Sequence, residues 1–176
     1  MIFISAGHGY KDLSKRIKDS GVVYKNFVEH KRAFSVAYFC YLYLYSKTEV
    51  IFIPTASLIE KVDFINKFCG SKDLAIEFHF NSLPEVKDIS FSEILVYSVE
   101  NKKDIIEKIK KGILEYRDKG EEQKKYPSDV RVTERKDLYF LRKTKCTSVI
   151  LEVEFIWNAD KINYKLFGQC IAKNLL

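Results

Sequence analysis

Apolar positions along the chain follow two different periods. Five short runs rich in Ile, Val and Phe, namely Ile2 to Ser5, Val50 to Pro54, Asp73 to Phe80, Phe91 to Ser98 and Ser148 to Phe155, predict strands. Between them the spacing is helical. Glu29 to Tyr45 carries a long apolar and aromatic face, and Ser57 to Phe68 opens on a Ser N-cap three residues before Glu60. Lys102 to Tyr116 places Ile105, Ile109 and Ile113 at spacing four, and Asp160 to Leu175 reads as a closing helix. Strands alternating with helices imply right-handed crossovers. The expected fold class is α/β: one twisted, mostly parallel sheet of about six strands, flanked by helices on both faces. In such sheets a site lies outside the carboxyl ends of the strands. Asp118 to Asp137, with Gly120, Pro127 and dense mixed charge, reads as a polar excursion near the rim.

Composition narrows the possibilities. A chain of 176 residues, 47% hydrophobic with 7 Gly and 3 Pro, fits a single globular domain over residues 1–176, with no separate wall-binding or targeting domain expected. Thirty Lys and Arg against 24 Asp and Glu leave a charge of +6, which favours polyanions such as nucleic acid, anionic membranes or bacterial cell walls. Lys108, Lys110 and Lys111, and further on Lys124 and Lys125, form no continuous basic stripe. No phosphate-binding glycine loop, helix-turn-helix signal or aromatic RNA-binding signature accompanies them. A nucleic-acid partner is therefore not expected.

The opening Met-Ile-Phe-Ile-Ser-Ala-Gly-His-Gly lacks the basic and apolar regions of a secretory signal, and no apolar run approaches the roughly 18 residues of a membrane span. The expectation is a monomer made in the cytoplasm, without membrane insertion. Cys40, Cys69, Cys146 and Cys170 form no Cys-x-x-Cys pair and read as small hydrophobes kept reduced. The aromatic residues of Glu29 to Tyr45, Tyr38 to Tyr45 above all, read as core plus a partly exposed edge, with a sugar or partner surface as the alternative.

Candidate chemistry concentrates at strand ends. Of 3 histidines, His8 follows the first strand in Ala-Gly-His-Gly and His79 ends the third in Glu-Phe-His-Phe-Asn-Ser. Taken singly, a strand-end histidine is more often a satisfied polar residue than a ligand. Together, two parallel strands can bring them to one point above the sheet. Glu29 opens the aromatic helix, where it is either a charge favoured by the helix dipole or a carboxylate ligand. Two His and one Glu with an open fourth position form the ligand set of a catalytic zinc site. Glu152 and Glu154 interrupt the apolar run Val149 to Phe155, and strand alternation points both to one face. A carboxylate there is costly to bury unless paired or used. Near an activated water, Glu152 is suited to act as general base and then general acid.

These residues carry a resemblance. Ser5-Ala6-Gly7-His8-Gly9, Glu29 with Ala37, Asp73-Leu74 leading to His79-Phe80-Asn81-Ser82, Asp137-Leu138-Tyr139-Phe140-Leu141-Arg142 with Thr144, and Leu151-Glu152-Val153-Glu154-Phe155-Ile156-Trp157-Asn158 occur in the order of motifs in zinc-dependent N-acetylmuramoyl-L-alanine amidases of the Amidase_3 type. The chain resembles that family over roughly positions 2 to 167. The resemblance implies hydrolysis of the amide between N-acetylmuramic acid and L-alanine in peptidoglycan. It implies Zn2+ on His8, Glu29 and His79, Glu152 as the catalytic residue, and a six-stranded, mostly parallel sheet. Asn81, Ser82 and Arg142 become candidate substrate-binding residues. An endolysin released onto the bacterial wall, or an autolysin, is the implied setting.

Departures from the pattern are informative. Glu154 stands where the family has glycine, a second carboxylate on the active face that would repel Glu152 or pair with a base such as Arg142. Glu77 replaces a serine two residues before His79, either orienting a ligand or forming a plain salt bridge. His30 rivals Glu29 as a ligand, but neighbours on a helix point about 100° apart, and the spacing of Glu29 to Ala37 fits the family. Two other readings remain: a zinc peptidase or amidohydrolase on another amide, and a non-catalytic wall- or nucleic-acid-binding module on the same fold.

Overall fold

The structure, a computed structural model, describes residues 1–12, 14–83, 89–119 and 129–176. The chain runs β1 (Ile2–Ala6), β2 (Gly9–Asp12), β3 (Ile17–Asp19), β4 (Val23–Tyr24), β5 (Phe27–Val28), α1 (Glu29–Tyr45), β6 (Val50–Ile53), β7 (Ala56–Ser57) and α2 (Leu58–Phe68). It continues through β8 (Leu74–Asn81), β9 (Ser92–Val96), α3 (Lys103–Asp118), β10 (Val130–Glu134), α4 (Tyr139–Lys143), β11 (Thr147–Phe155) and α5 (Tyr164–Leu175).

Six strands form the central sheet in the order β10-β9-β11-β8-β1-β6. β6, β1, β8 and β11 run parallel, which sets Ser5 level with Glu77, and His79 level with Glu152. β9 lies antiparallel to β11, and β10 runs alongside β9. The reversal places the amino end of β9, rather than its carboxyl end, beside the ends of β1, β8 and β11. β10 corrects the reading of Asp118 to Asp137 as a plain excursion. Val130 and Val132 pack on the core while Arg131 is exposed, a strand period hidden in the sequence by its charged neighbours. Residues 120–128, with Lys124 and Lys125, lie outside the described residues.

The parallel strands are apolar nearly throughout because helices cover both faces. On one face Ile4, Ile76, Phe78, Val149 and Leu151 pack with Ala33, Val36, Ile109, Ile113 and Phe167 of α1, α3 and α5. On the other, Phe3, Ala75 and Ile150 pack with Val62, Ile65, Phe140 and Leu141 of α2 and α4. Burying a side chain of this size stabilises by about 1.5–3 kcal/mol, so these two layers carry most of the fold's stability. The rings of Phe34, Tyr38 and Tyr41 gather around Phe52, leaving Tyr38 and Tyr45 partly exposed. Cys40, Cys146 and Cys170 are buried and Cys69 is half-buried, all four as free thiols. Among the described residues no helix is long and apolar enough to cross a membrane.

Helix ends follow local chemistry. At α2 the Ser57 side chain accepts from Glu60 N, and the Glu60 carboxylate accepts from Ser57 N at 2.9 Å, closing the capping box. Asn163 caps α5 by accepting from Leu166 N, so the last helix begins at Tyr164 instead of Asp160, behind a 3-10 turn at Ile156–Lys161. Ser57→Ala is expected to lower stability by about 0.5–2 kcal/mol, read as a fall in the denaturant midpoint with unchanged slope. An unchanged midpoint would show that the box contributes nothing.

Candidate metal centre

β1 ends at Ala6, and the loop after it carries His8 in a left-handed conformation, φ 61°, which few non-glycine residues adopt. The preceding Gly7 N–H donates to Phe78 O at 2.7 Å, tying the loop to β8. A Cβ on Gly7 would lie 2.1 Å from His79 Cε1, so the His79 ring rests directly on the bare backbone. Glu29, the first residue of α1, is 3% exposed and projects over the ends of β1 and β8.

The three side chains converge on one oxygen. His8 Nε2 is 3.1 Å and His79 Nδ1 3.0 Å from Glu29 Oε1, with the two rings edge to face at 5.1 Å. Glu29 Oε1 also accepts from Phe80 N at 3.3 Å, and Oε2 accepts from Val22 N at 2.9 Å. Among the described residues this is the group that could hold a metal, its donor atoms all within 4.8 Å of one another. Each histidine's remaining nitrogen faces another carboxylate: His8 Nδ1 is 3.1 Å from Asp19 Oδ2, and His79 Nε2 is 3.0 Å from Glu77 Oε1. Carboxylates in that position fix the tautomer and ring orientation of metal-binding histidines, so the residues present fit a metal ion.

Electrostatics support the same assignment. Burial opposes ionisation of Glu29, but hydrogen bonds from His79 and His8 outweigh it and hold the carboxyl well below its ordinary range. Burial likewise opposes a charge on His79, yet Glu29 and Glu77 push its pKa up. This pocket is built for positive charge.

Glu152 stands beside His79 on the neighbouring strand. Among the described residues its Oε2 is buried without a hydrogen-bond partner. Burial first, then the charges of Glu29 and Glu93, raise its carboxyl to about 7, against the pull of His79. Glu93 is level with Glu152 across the antiparallel β9–β11 pair and accepts from Asn81 Nδ2 at 3.3 Å and from Thr133 Oγ1. Asn81 and Ser82 therefore sit at the rim, where Ser82 N donates to Asn81 Oδ1 at 2.7 Å.

Other expected residues are placed elsewhere. His30 is not in the cluster; its Nδ1 lies 2.8 Å from Gly7 O, so the ring is engaged with the loop backbone. Arg142 lies in α4, which leads into β11, and lines a cleft with Tyr97, Lys102 and Ser148 at the end of that strand opposite Glu152. Glu154 corrects the alternation argument. The register of β11 shifts between Glu152 and Phe155, and this irregularity turns Glu154 to the α3 side, into a small cavity with Arg117, Tyr116 and Phe167. It accepts from Ser90 Oγ at 2.6 Å and lies in the field of Arg117, not Arg142. Glu77 combines both roles considered for it, ion-paired with Lys61 and hydrogen-bonded to His79.

Asp19, Gly21 and Glu93 were not legible in the sequence. Gly21, at φ 64°, would carry a Cβ 2.5 Å from Glu29 Oε2, so only glycine lets this turn close over the carboxylate. A signal existed in Asp19-Ser20-Gly21, a turn sequence, but nothing in it names the partner.

Comparison with known proteins places these features. A family model described as Amidase_3, N-acetylmuramoyl-L-alanine amidase, matches residues 2–166. No curated protein matches the chain in sequence. The N-acetylmuramoyl-L-alanine amidase AmiC2 of Nostoc punctiforme is similar in structure, with TM-score 0.77 at 16% identity over 99% of this chain and 94% of that one. The catalytic domain of CwlV, the amidase from Bacillus (Paenibacillus) polymyxa var. colistinus, gives 0.75 at 19% over 99% and 94%. The catalytic domain of the CD27L endolysin targeting Clostridia difficile gives 0.63 at 21% over 99% and 95%. At these identities the likeness speaks for the fold.

Glu29→Ala is expected to abolish high-affinity metal binding, whereas His30→Ala leaves about one ion bound per folded chain. Elemental analysis after dialysis checks both; retention by Glu29→Ala, or loss in folded His30→Ala, would contradict the assignment.

Proposed function

Because the chain belongs to the Amidase_3 family of N-acetylmuramoyl-L-alanine amidases, and so hydrolyses the amide between N-acetylmuramic acid and L-alanine in peptidoglycan, we propose that it does this with one zinc ion on His8, Glu29 and His79 and with Glu152 as the proton carrier. The observation that carries the proposal is the pairing of converged donors with an unpartnered acid. His8 Nε2 and His79 Nδ1 meet at Glu29 Oε1, and one strand away Glu152 holds a buried oxygen that has no hydrogen-bond partner among the described residues. The two-histidine, one-carboxylate set suits zinc, leaving a position open to solvent or substrate. Bound there, zinc would supply Lewis acidity to the scissile carbonyl and acidify the attacking water.

The rest of the chemistry belongs to the chain. Glu152, with its affinity for a proton raised towards neutrality, takes the proton of the water as its oxygen bonds to the carbonyl carbon. It then delivers that proton to the alanine nitrogen as the C–N bond breaks. A carboxylate with the usual low pKa would return the proton poorly, so burial of Glu152 serves both halves of the reaction. In this reading Asn81, which donates to Glu93, and Ser82 at the rim bind the stem peptide.

The surroundings of the reaction follow from charge. A net +6 supports retention on anionic wall polymers, which suits a lytic enzyme, endolysin or autolysin, acting on whole walls. Retention of this kind is screened over about 8–10 Å at 0.1–0.15 M salt, so binding to whole walls should weaken as ionic strength rises. Salt-independent binding in a sedimentation assay would remove that part of the proposal.

Two measurements test the chemistry. Digested peptidoglycan should yield stem peptides with a free N-terminal alanine and intact glycan strands by mass spectrometry; new reducing sugar ends would overturn the amide assignment. Glu152→Gln should keep the zinc content while losing about 10²–10⁴-fold in kcat. Near-normal turnover by that variant would remove Glu152 from its role.

A further inference from the structure

We infer that Lys61, a fully buried lysine of α2, positions both histidine ligands at once, one through the backbone and the other through Glu77. The inference rests on reading His8, Glu29 and His79 as a metal site. Lys61 is 1% exposed and Glu77 2%, although neither charge is stable inside a protein without compensation. Compensation is complete for the ammonium group. Its three N–H donors have three acceptors: the Glu77 carboxylate, Ala6 O at 2.7 Å and His8 O at 3.5 Å.

Those two carbonyls flank Gly7 in the loop that presents His8. The left-handed backbone of His8 is unfavourable on its own and needs outside support, and Lys61 supplies it from beneath. The opposite arm runs through the ion pair. Glu77 accepts from Ser5 Oγ at 3.4 Å and lies 3.0 Å from His79 Nε2, so that nitrogen keeps its proton and Nδ1 is the one left to face Glu29. A single cation therefore fixes the height of one ligand's loop and, at one remove, the tautomer of the other. Neither Lys61 nor Glu77 has a donor atom in the converged set, so both are positioning residues.

The test is zinc affinity, with the visible spectrum of the cobalt-substituted protein as a signature of ligand geometry. Glu77→Ser, Lys61→Met and the double variant should each weaken zinc by about 10–100-fold and shift the cobalt bands. Glu77→Gln, whose amide oxygen still accepts from His79, should recover most of the affinity lost in Glu77→Ser. Lys61→Met alone leaves Glu77 buried without its countercharge; if it does not fold, the double variant, which removes both charges, decides. A folded double variant with the zinc affinity and cobalt spectrum of the unsubstituted protein would overturn the inference, reducing the pair to a structural ion pair. If the unsubstituted protein itself bound no zinc, the metal-site reading would fail and the brace with it, a result distinct from loss of coupling in the variants.

Discussion

The carboxylate of Glu29 is the constraint around which this end of the molecule is arranged. It is nearly fully buried at the start of α1, and a charge so placed persists only when its oxygens are satisfied. Four groups from different parts of the chain meet that demand: the rings of His8 and His79 and the backbone N–H groups of Val22 and Phe80. Each contact requires something further of the fold. His8 needs a left-handed loop, His79 needs Gly7 bare beneath it, and the turn that brings Val22 over the carboxylate needs Gly21. The geometry of the candidate metal site and the local fold are one set of requirements.

A second arrangement follows from strand direction. With β9 reversed against β11, the amino end of β9 meets the carboxyl ends of its neighbours and delivers Glu93 next to Glu152. The two acids stand level on adjacent strands while Thr133 and Asn81 hold Glu93 by hydrogen bonds. The charge of Glu93 acts on Glu152 alongside burial and Glu29, and together they push the Glu152 carboxyl up. A wholly parallel sheet would have put the other end of β9 here and left Glu152 without this neighbour. The raised proton affinity of Glu152 thus owes something to topology as well as to burial.

Much of this was legible in the sequence, for a physical reason: strands buried on both faces are contiguous apolar runs, and polar residues at their ends have few roles open to them. His8, His79 and Glu152 stood out on that ground, and Ser57 with Glu60 marked a helix start that closes as a capping box. What escaped notice depends on contacts distant in sequence or on local irregularity. β10 was masked by charged neighbours, and the short strands β2 to β5, half-exposed and polar, have too little apolar period to register. Asp19 and Glu93 gain meaning only from pairings that no spacing rule encodes. Lys61 did leave a trace: it shares the buried stripe of α2 with Val62 and Ile65, where a lysine must find a countercharge.

The irregularity in β11 shows how a single register shift separates two similar side chains into different surroundings. Regular alternation would have set Glu154 two residues along on the face of Glu152, beside Glu29 and Glu77, and like charges so close would have been hard to keep ionised together. The shift sends Glu154 through the sheet to the α3 side, where Ser90 and the backbone N–H of Phe155 satisfy it within the field of Arg117. Glu152 is thereby spared a second carboxylate beside it on the same face. Among the described residues, the carboxylates around it, Glu29, Glu77, Asp19 and Glu93, are each committed to a histidine, a lysine or a neighbouring hydroxyl or amide. Selective commitment of this kind lets a site dense in acidic groups hold Glu152 in surroundings unlike those of its neighbours, which is what the proposed proton-carrying role requires.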